Sequence, residues 1–437
     1  MIFTSESVTE GHPDKLCDQI SDSIVDHLLK QDPYARVRAE CAVSSAIVFI
    51  AVRYATDAKV DFSYLARKVI QRIGYDQPEF NAKICSILSA PQELPLNMAQ
   101  RFDEEKLSDE EIDRVAAKNQ VTLFGFACDQ TPELMPLPIM LAHQLSRRLA
   151  EARHQKILPY LLPDGKVQVA VAYDRHRPVR IHSIAIMASL DHPKQVDPKK
   201  LTESIMDTVV KPVFKSEKIK PDKETRILVN PDGPYQGGPT HHSGLTGRKS
   251  AVDTYGEYAR HSGDALSGKD PMRVDRVGAY AARYAAKNIV AAGLASECEV
   301  MLSYSIGITR PVSLEVQTFG TGKIPDDKIR DLLERHFEFR LAGIMKHFRL
   351  RYLPSKHTTG YFERLAAYGH FGRSDMDLPW EKTDRAEALK ADWPRQEVRH
   401  ELVVALRRRI WNRRRGLAPV QALAGTDPPT GGGSRRA

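Results

Sequence analysis

"KVQVAVAYD" (166–174) is followed five residues later by "RIHSIAIMASL" (180–190). The first stretch alternates, with Val167, Val169 and Val171 on one side, the period of a half-buried strand. The second alternates in the same way. Strands this close leave no room for a crossover helix, so they pair antiparallel. "ECEVMLSYSIGI" (297–308) and "VSLEVQTFGT" (312–321) repeat the arrangement, and "AIVFIAVRYAT" (46–56) is apolar and β-branched. Helical periods lie between them. "DKLCDQISDSIVDHLLKQ" (14–31) puts Leu16, Ile20, Ile24, Leu28 and Leu29 on one face. "MPLPIMLAHQLSRRLAEARHQ" (135–155) runs on as a helix after its prolines. "DRVGAYAARYAAKNIVAAGLA" (275–295) is Ala-rich, with Gly293 as its stop, and "DDKIRDLLERHF" (326–337) is short and amphipathic. The pattern predicts α+β layers in three blocks, 1–100, 115–229 and 230–383, and argues against a doubly wound parallel sheet. The polar, acidic "EEKLSDEEIDR" (104–114) reads as an exposed segment or mobile loop, placed where a lid would be.

A chain of 437 residues that is 42% hydrophobic and 27% charged has the composition of a globular protein of several domains. It holds no run of ~20 apolar residues, and "MIFTSESVTEGHPDK" lacks the basic and apolar regions of a signal peptide. Five scattered cysteines, none in a CxxC pair, suggest reduced thiols in the cytoplasm. From Asp384 onward twelve Lys or Arg stand against six Asp or Glu, so most of the net +8 belongs to a basic extension, 384–437, read as helical or disordered. The remainder is nearly neutral, which makes nucleic acid an unlikely partner.

Four stretches concentrate chemistry. In "GHPDK" (11–15), His12, Asp14 and Lys15 project at a helix start, where anions are favoured; a simple helix cap explains the stretch equally well. "PDGK" (163–166) reads as a hairpin-like turn carrying Asp164 and Lys166, and alone Lys166 is a solvated turn lysine. "GLTGRK" (244–249) supplies Arg248 and Lys249. "SGKDPMRVDR" (267–276) mixes Lys269, Arg273 and Arg276 with Asp270 and Asp275. Cations for phosphate oxygens, carboxylates for Mg²⁺ and glycines for close backbone approach suit a metal-bound polyphosphate. No Walker loop is present, and each piece alone is weak.

"FTSESVTEGHPDKLCDQISDSIVD", "TPELMPLPI", "GLTGRK", "VDTYGEYARH", "SGKDPMRVDR", "TFGTGKIPDDKI" and "AAYGHFGR…PWEKTD", in this order, resemble the S-adenosylmethionine synthetase (methionine adenosyltransferase) family from Ile2 to about Asp384. The resemblance implies three similar α+β domains about a pseudo-threefold axis. It implies a homodimer or homotetramer with shared active sites, ATP and a small-molecule acceptor as partners, and Mg²⁺ and K⁺ as cofactors. The implied reaction is attack on C5′ of ATP with loss and hydrolysis of triphosphate. It places His12 and Lys166 near the α-phosphate. Lys15, Asp164, Arg248, Lys249, Lys269 and Arg273 fall on the ATP and triphosphate side, with Arg273 where the family has lysine. Tyr235 falls on adenine, Asp14 and Asp275 on Mg²⁺, and Glu40 on K⁺.

The implied acceptor pocket departs from the family. Its glutamate is Arg53, its aspartates are Asn119 and His242, and only Gln120 survives from a Gly-rich loop; His241 replaces a glycine and Asp264 is added. Three losses of negative charge around one ligand half would leave a methionine ammonium without carboxylates, at ~3–5 kcal/mol for an unpaired buried charge. The sequence reading is therefore an adenosyltransferase whose acceptor is altered from methionine. The alternatives are a genuine methionine adenosyltransferase, or a triphosphatase or regulatory paralogue.

Overall fold

The computed structural model describes residues 1–98 and 101–393. Of the basic extension, 384–437, the residues from 394 onward, with the Arg-rich stretch, lie outside the described residues.

One plan recurs three times: a long helix, an antiparallel hairpin, then a second helix. Helix Pro13–Gln31 precedes strands Arg36–Ser44 and Ile47–Ala55 and helix Phe62–Ile73. Helix Leu137–His154 precedes strands Leu161–Asp174 and Arg177–Leu190 and helix Pro198–Ile205. Helix Val274–Ala291 precedes strands Glu297–Tyr304 and Ser313–Gln317 and helix Asp326–His336. In the first two repeats a further strand, Ser86–Glu93 or Arg226–Val229, returns parallel to the hairpin. The architecture is α+β.

The strand that precedes each long helix leaves its own repeat. Ile2–Val8 pairs antiparallel with Leu161–Asp174 in the second sheet. Val121–Cys128 pairs with Glu297–Tyr304 in the third, and Gly244–Leu245 with Arg36–Ser44 in the first. This cyclic exchange ties the three layers together, and Met1–Leu389 is a single compact unit.

Local chemistry explains the elements. Helix Pro13–Gln31 has Pro13 in its first turn, His12 as N-cap, Asp14 in the first turn and Lys30 in the last. Helix Val274–Ala291 ends at its Ala292 cap, with Gly293 at φ +69°, as the sequence predicts. Its alanines permit close approach to the third sheet: a Cβ on Gly125 would lie 2.0 Å from the Ala282 carbonyl carbon. In the second layer Leu141, Leu145 and Leu149 pack with Val167, Val169, Val171, Ile184 and Ile186. All five cysteines are buried and free.

Two local readings change. "PDGK" is not a turn ahead of a strand; it lies within Leu161–Asp174, where the register shifts between Leu161 and Gly165. "EEKLSDEEIDR" is not a free loop. Ser108 and Glu111 form a capping box, Glu104 is buried with its carboxylate 2.8 Å from Arg351 Nε, and Asp109 pairs with Arg340 at 2.6 Å. Most of the segment is exposed, as the sequence reading has it, but ion pairs to Arg340, Arg349 and Arg351 fix it against the rest of the fold.

Candidate active site

Helix Pro13–Gln31 organises the site through an acidic row that the apolar pattern conceals. Asp14, Asp18, Asp22 and Asp26 stand four residues apart, hence on one face. The four accept backbone N–H groups from three distant segments: Leu245 to Asp14 (3.0 Å), Gly247 to Asp18 (2.7 Å), Gly268 to Asp22 (2.8 Å), and Tyr361, Phe362 and Glu363 to Asp26 (2.8–3.0 Å). The face opposite the leucines is therefore buried as well. The row pins "GLTGRK" and "SGKDP" in place, and the i,i+4 spacing of aspartates is the sequence signal that could have found it. At Gly268, φ is +77° and a Cβ would lie 2.0 Å from the Ala39 carbonyl oxygen, so the turn that presents Lys269 requires glycine.

The first functional group lies at the helix N-terminus. Arg248 Nε is 2.8 Å from Asp14 Oδ1, Lys249 Nζ is 2.7 Å from Glu6, and Tyr235 reaches Asp164 Oδ2 through its hydroxyl at 3.4 Å. His242 Nε2 lies 2.7 Å from the same Asp164 oxygen, and the His12 and His242 ring centres are 4.9 Å apart. Lys166 sits in the strand opposite Val8 and Met187, half-buried, with no anionic partner among the described residues. Burial pushes the His12 imidazole down to about 3, against the pull of Asp164; His242, Lys166 and Lys249 add to the depression. Since His12 Nδ1 accepts the Asp14 N–H at 3.2 Å, its neutral ring carries the proton on Nε2. Glu6 is a member of this group that the sequence reading missed; it sits two residues before Val8 on the strand beside Lys166.

The depressed His12 value has a signed consequence. Below its ordinary value near 6.5 the unfolded chain takes the proton first, so the ring's contribution to stability is complete above about pH 6.5 and is lost as the pH falls towards 3. His12→Asn, which keeps a capping acceptor, is expected to flatten the urea-stability profile between about pH 6 and pH 4. An unchanged slope would mean that His12 is protonated in the fold.

The second group lies two helical turns further on, about 12 Å along the axis from Asp14 to Asp22 at 1.5 Å per residue. Lys269 Nζ is 3.6 Å from Asp275 and 3.9 Å from Asp264, and Asn119 donates to Asp275 Oδ1. Burial lowers the Lys269 ammonium, partly offset by the two aspartates. Arg273 caps helix Val274–Ala291 with its guanidinium 4.0 Å from Asp270.

One sequence reading needs correction, and another is not met within a single chain, as the shared site that the resemblance implies would have it. Lys15 does not reach the anion site: its ammonium is fully buried between Asp18 (2.8 Å) and Asp253, which hold it protonated above the usual lysine range against the effect of burial. The four acceptor-pocket residues do not converge within one protomer. His242 is in the first group and Asn119 in the second; Gln120 is exposed beside it, while Arg53 lies on the open face of the first sheet opposite Arg38 and Gln92. Glu40 shares that face, paired with Arg38 at 2.6 Å. The cause is topological, because these residues ride on separate elements of an exchanged three-sheet fold.

Three layered repeats, tied by exchanged strands and with charged side chains gathered at a buried helix N-terminus, define an α+β protein of three like domains. Family models for S-adenosylmethionine synthetase match its N-terminal domain at residues 1–94, its central domain at 114–235 and its C-terminal domain at 236–382. The chain is 51% identical over 405 residues to the S-adenosylmethionine synthase of Trichodesmium erythraeum, covering 89% of this chain and 96% of that protein. It is 51% identical over 403 residues to that of Microcystis aeruginosa (89% and 97%), and 50% over 421 to that of Trichormus variabilis (93% and 99%). The chain belongs to the S-adenosylmethionine synthetase family. No described helix is long and apolar enough to cross a membrane.

Proposed function

We propose that the chain is an ATP-dependent adenosyltransferase that makes S-adenosylmethionine. Methionine sulfur attacks C5′ of ATP, the C5′–O bond breaks, and triphosphate leaves and is hydrolysed. The observation that carries this is Lys166, a cation without an anionic partner among the described residues, beside neutral His12 at the start of a 19-residue helix. A leaving polyanion is met there by a lysine, by the Nε2–H of His12, by Arg248 and Lys249, and by the helix dipole. Relatives named S-adenosylmethionine synthase, at half identity over nine-tenths of the chain, support methionine as acceptor.

Asp14 and Asp275 suit Mg²⁺. Both are buried, each has an Oδ2 outside its recorded hydrogen bonds, and hard carboxylate oxygens are what the ion takes. The two carboxylates stand in separate groups of one chain, so each would hold an ion of its own or share one with a second chain's group, where it would neutralise charge on the phosphates. Glu40 offers one oxygen to K⁺.

The shared-site dimer has support of its own. Leu245, Ala42, Phe49 and Leu88 form one cross-strand row over the open face of the first sheet, and Leu245, Phe49 and Leu88 are each about half exposed. Arg38, Glu40 and Arg53 lie on the same face. A second copy covering it would bring the separated groups of two chains together. Phe49→Asp is expected to yield a monomer by light scattering and to abolish turnover; an active monomer would defeat the shared site.

A second reading, an altered acceptor, is favoured by one contact. His242 stands where the family has the aspartate that meets the methionine ammonium, and its ring is engaged with Asp164 at 2.7 Å, so no carboxylate replaces it there. Incubation with ATP, Mg²⁺ and K⁺, with and without methionine, tests both readings. Methionine-dependent S-adenosylmethionine supports the first and defeats the second; no product with methionine, but an adenosylated product from a screen of thiols, amines and carboxylates with ATP, supports the second.

A further inference from the structure

His12, Asp164 and His242 bring one ligand atom each to within 4.8 Å of one another. Asp164 is 2% exposed, and its Oδ1 is buried without a hydrogen-bond partner, while Oδ2 takes the Gly238 N–H at 2.8 Å and His242. Buried carboxylate oxygens are rarely left unpartnered, and a carboxylate with an unpartnered oxygen and two imidazoles within 4.8 Å has an evident partner in a cation. The His12 ring is held from behind. Its Nδ1 faces Asp14, whose Oδ2 is 3.7 Å away, which leaves Nε2 for the cluster. That is the carboxylate–histidine arrangement that orients metal ligands.

We propose that His12, Asp164 and His242 form a site for a first-row divalent transition ion of the zinc class. Two imidazoles and one carboxylate leave a fourth position open, as three-ligand zinc sites do. The ion replaces the proton shared by His242 and Asp164, and the His12 ring moves its own proton from Nε2 to Nδ1, giving up the Asp14 N–H for the Asp14 carboxylate 3.7 Å away. Magnesium is disfavoured, because imidazole is a poor ligand for it. Lys166 and Lys249 bear on His12 and oppose a cation, and Glu6 offsets Lys249. The ion and a phosphate oxygen compete for the same His12 nitrogen, so metal and ATP exclude one another there. The site does not depend on the acceptor or on adenosyl transfer, and it is tested without ATP.

The test uses the full chain, free of any histidine tag and stripped by chelator. Titration with Zn²⁺ against a chromogenic indicator is expected to give one site per chain, unmoved by excess Mg²⁺. Co²⁺ is expected to give visible d–d bands of low-symmetry coordination. His242→Ala and Asp164→Asn are expected to weaken Zn²⁺ at least tenfold, and His241→Ala, which alters the adjacent exposed ring, to leave it unchanged. Should Asp164→Asn fail to fold, His242→Ala, at a partly exposed ring, carries the test alone. Zn²⁺ bound equally by wild type and His242→Ala, or no stoichiometric Zn²⁺ at all, overturns the site. Loss of adenosyl transfer with Zn²⁺ binding intact would count against the proposed function and leave the site standing.

Discussion

Lys166→Met is expected to lower kcat for ATP consumption by about 10²–10³-fold while leaving the melting temperature nearly unchanged. Lys166 has no ion pair or hydrogen bond among the described residues, so its removal strands no partner, and surface-type substitutions of that kind change stability little. Its charge is nonetheless one of those that lower the His12 imidazole. A group that stabilises charge only as it develops on the leaving oxygen lowers kcat and kcat/KM together. Lys166→Arg keeps the charge but spreads it over a planar fork, and is expected to recover only part of the rate. A kcat within threefold of wild type for Lys166→Met would remove this lysine from the reaction.

Lys15→Met is expected to destabilise the fold by about 3–5 kcal/mol, the cost of stripping one partner from a buried ion pair. Its ammonium and the Asp18 and Asp253 side chains are essentially inaccessible to solvent. Burial raises the Asp18 carboxyl to about 7 even with Lys15 beside it, and Asp253 pushes the same way. Without the ammonium, two neighbouring buried acids must both become neutral. The double variant Lys15→Met/Asp253→Asn is expected to recover much of the loss, because it removes the orphaned acid. Urea denaturation at neutral pH measures both. A Lys15→Met protein of normal stability and weakened ATP binding would restore the reading of Lys15 as a phosphate ligand.

That misreading shows where local motifs stop informing. "GHPDK" presents its polar residues as one cluster, but His12 caps the helix beside His242 while the Lys15 ammonium is taken up by Asp18 and the distant Asp253, so the two serve different neighbours. Loops whose backbone the ligand must approach were readable: Gly268, Lys269, Arg248 and Lys249 occupy the turns that their glycines and cations suggest. The aspartate row of Asp18, Asp22 and Asp26 was visible as a spacing but not as a function, since the N–H groups it receives come from more than 200 residues away.

The amino-acid order by itself determined the hairpins, the long helices and the residue types assembled for an anion, because strand period, helix period and capping act over a few residues. Only the tertiary structure decided which sheet each leading strand joins, that Lys15 is a core cation, and that Arg53, Asn119 and His242 stand apart in one chain. Those outcomes depend on pairings between distant segments, chosen by the burial of whole faces, and no short window of sequence contains them.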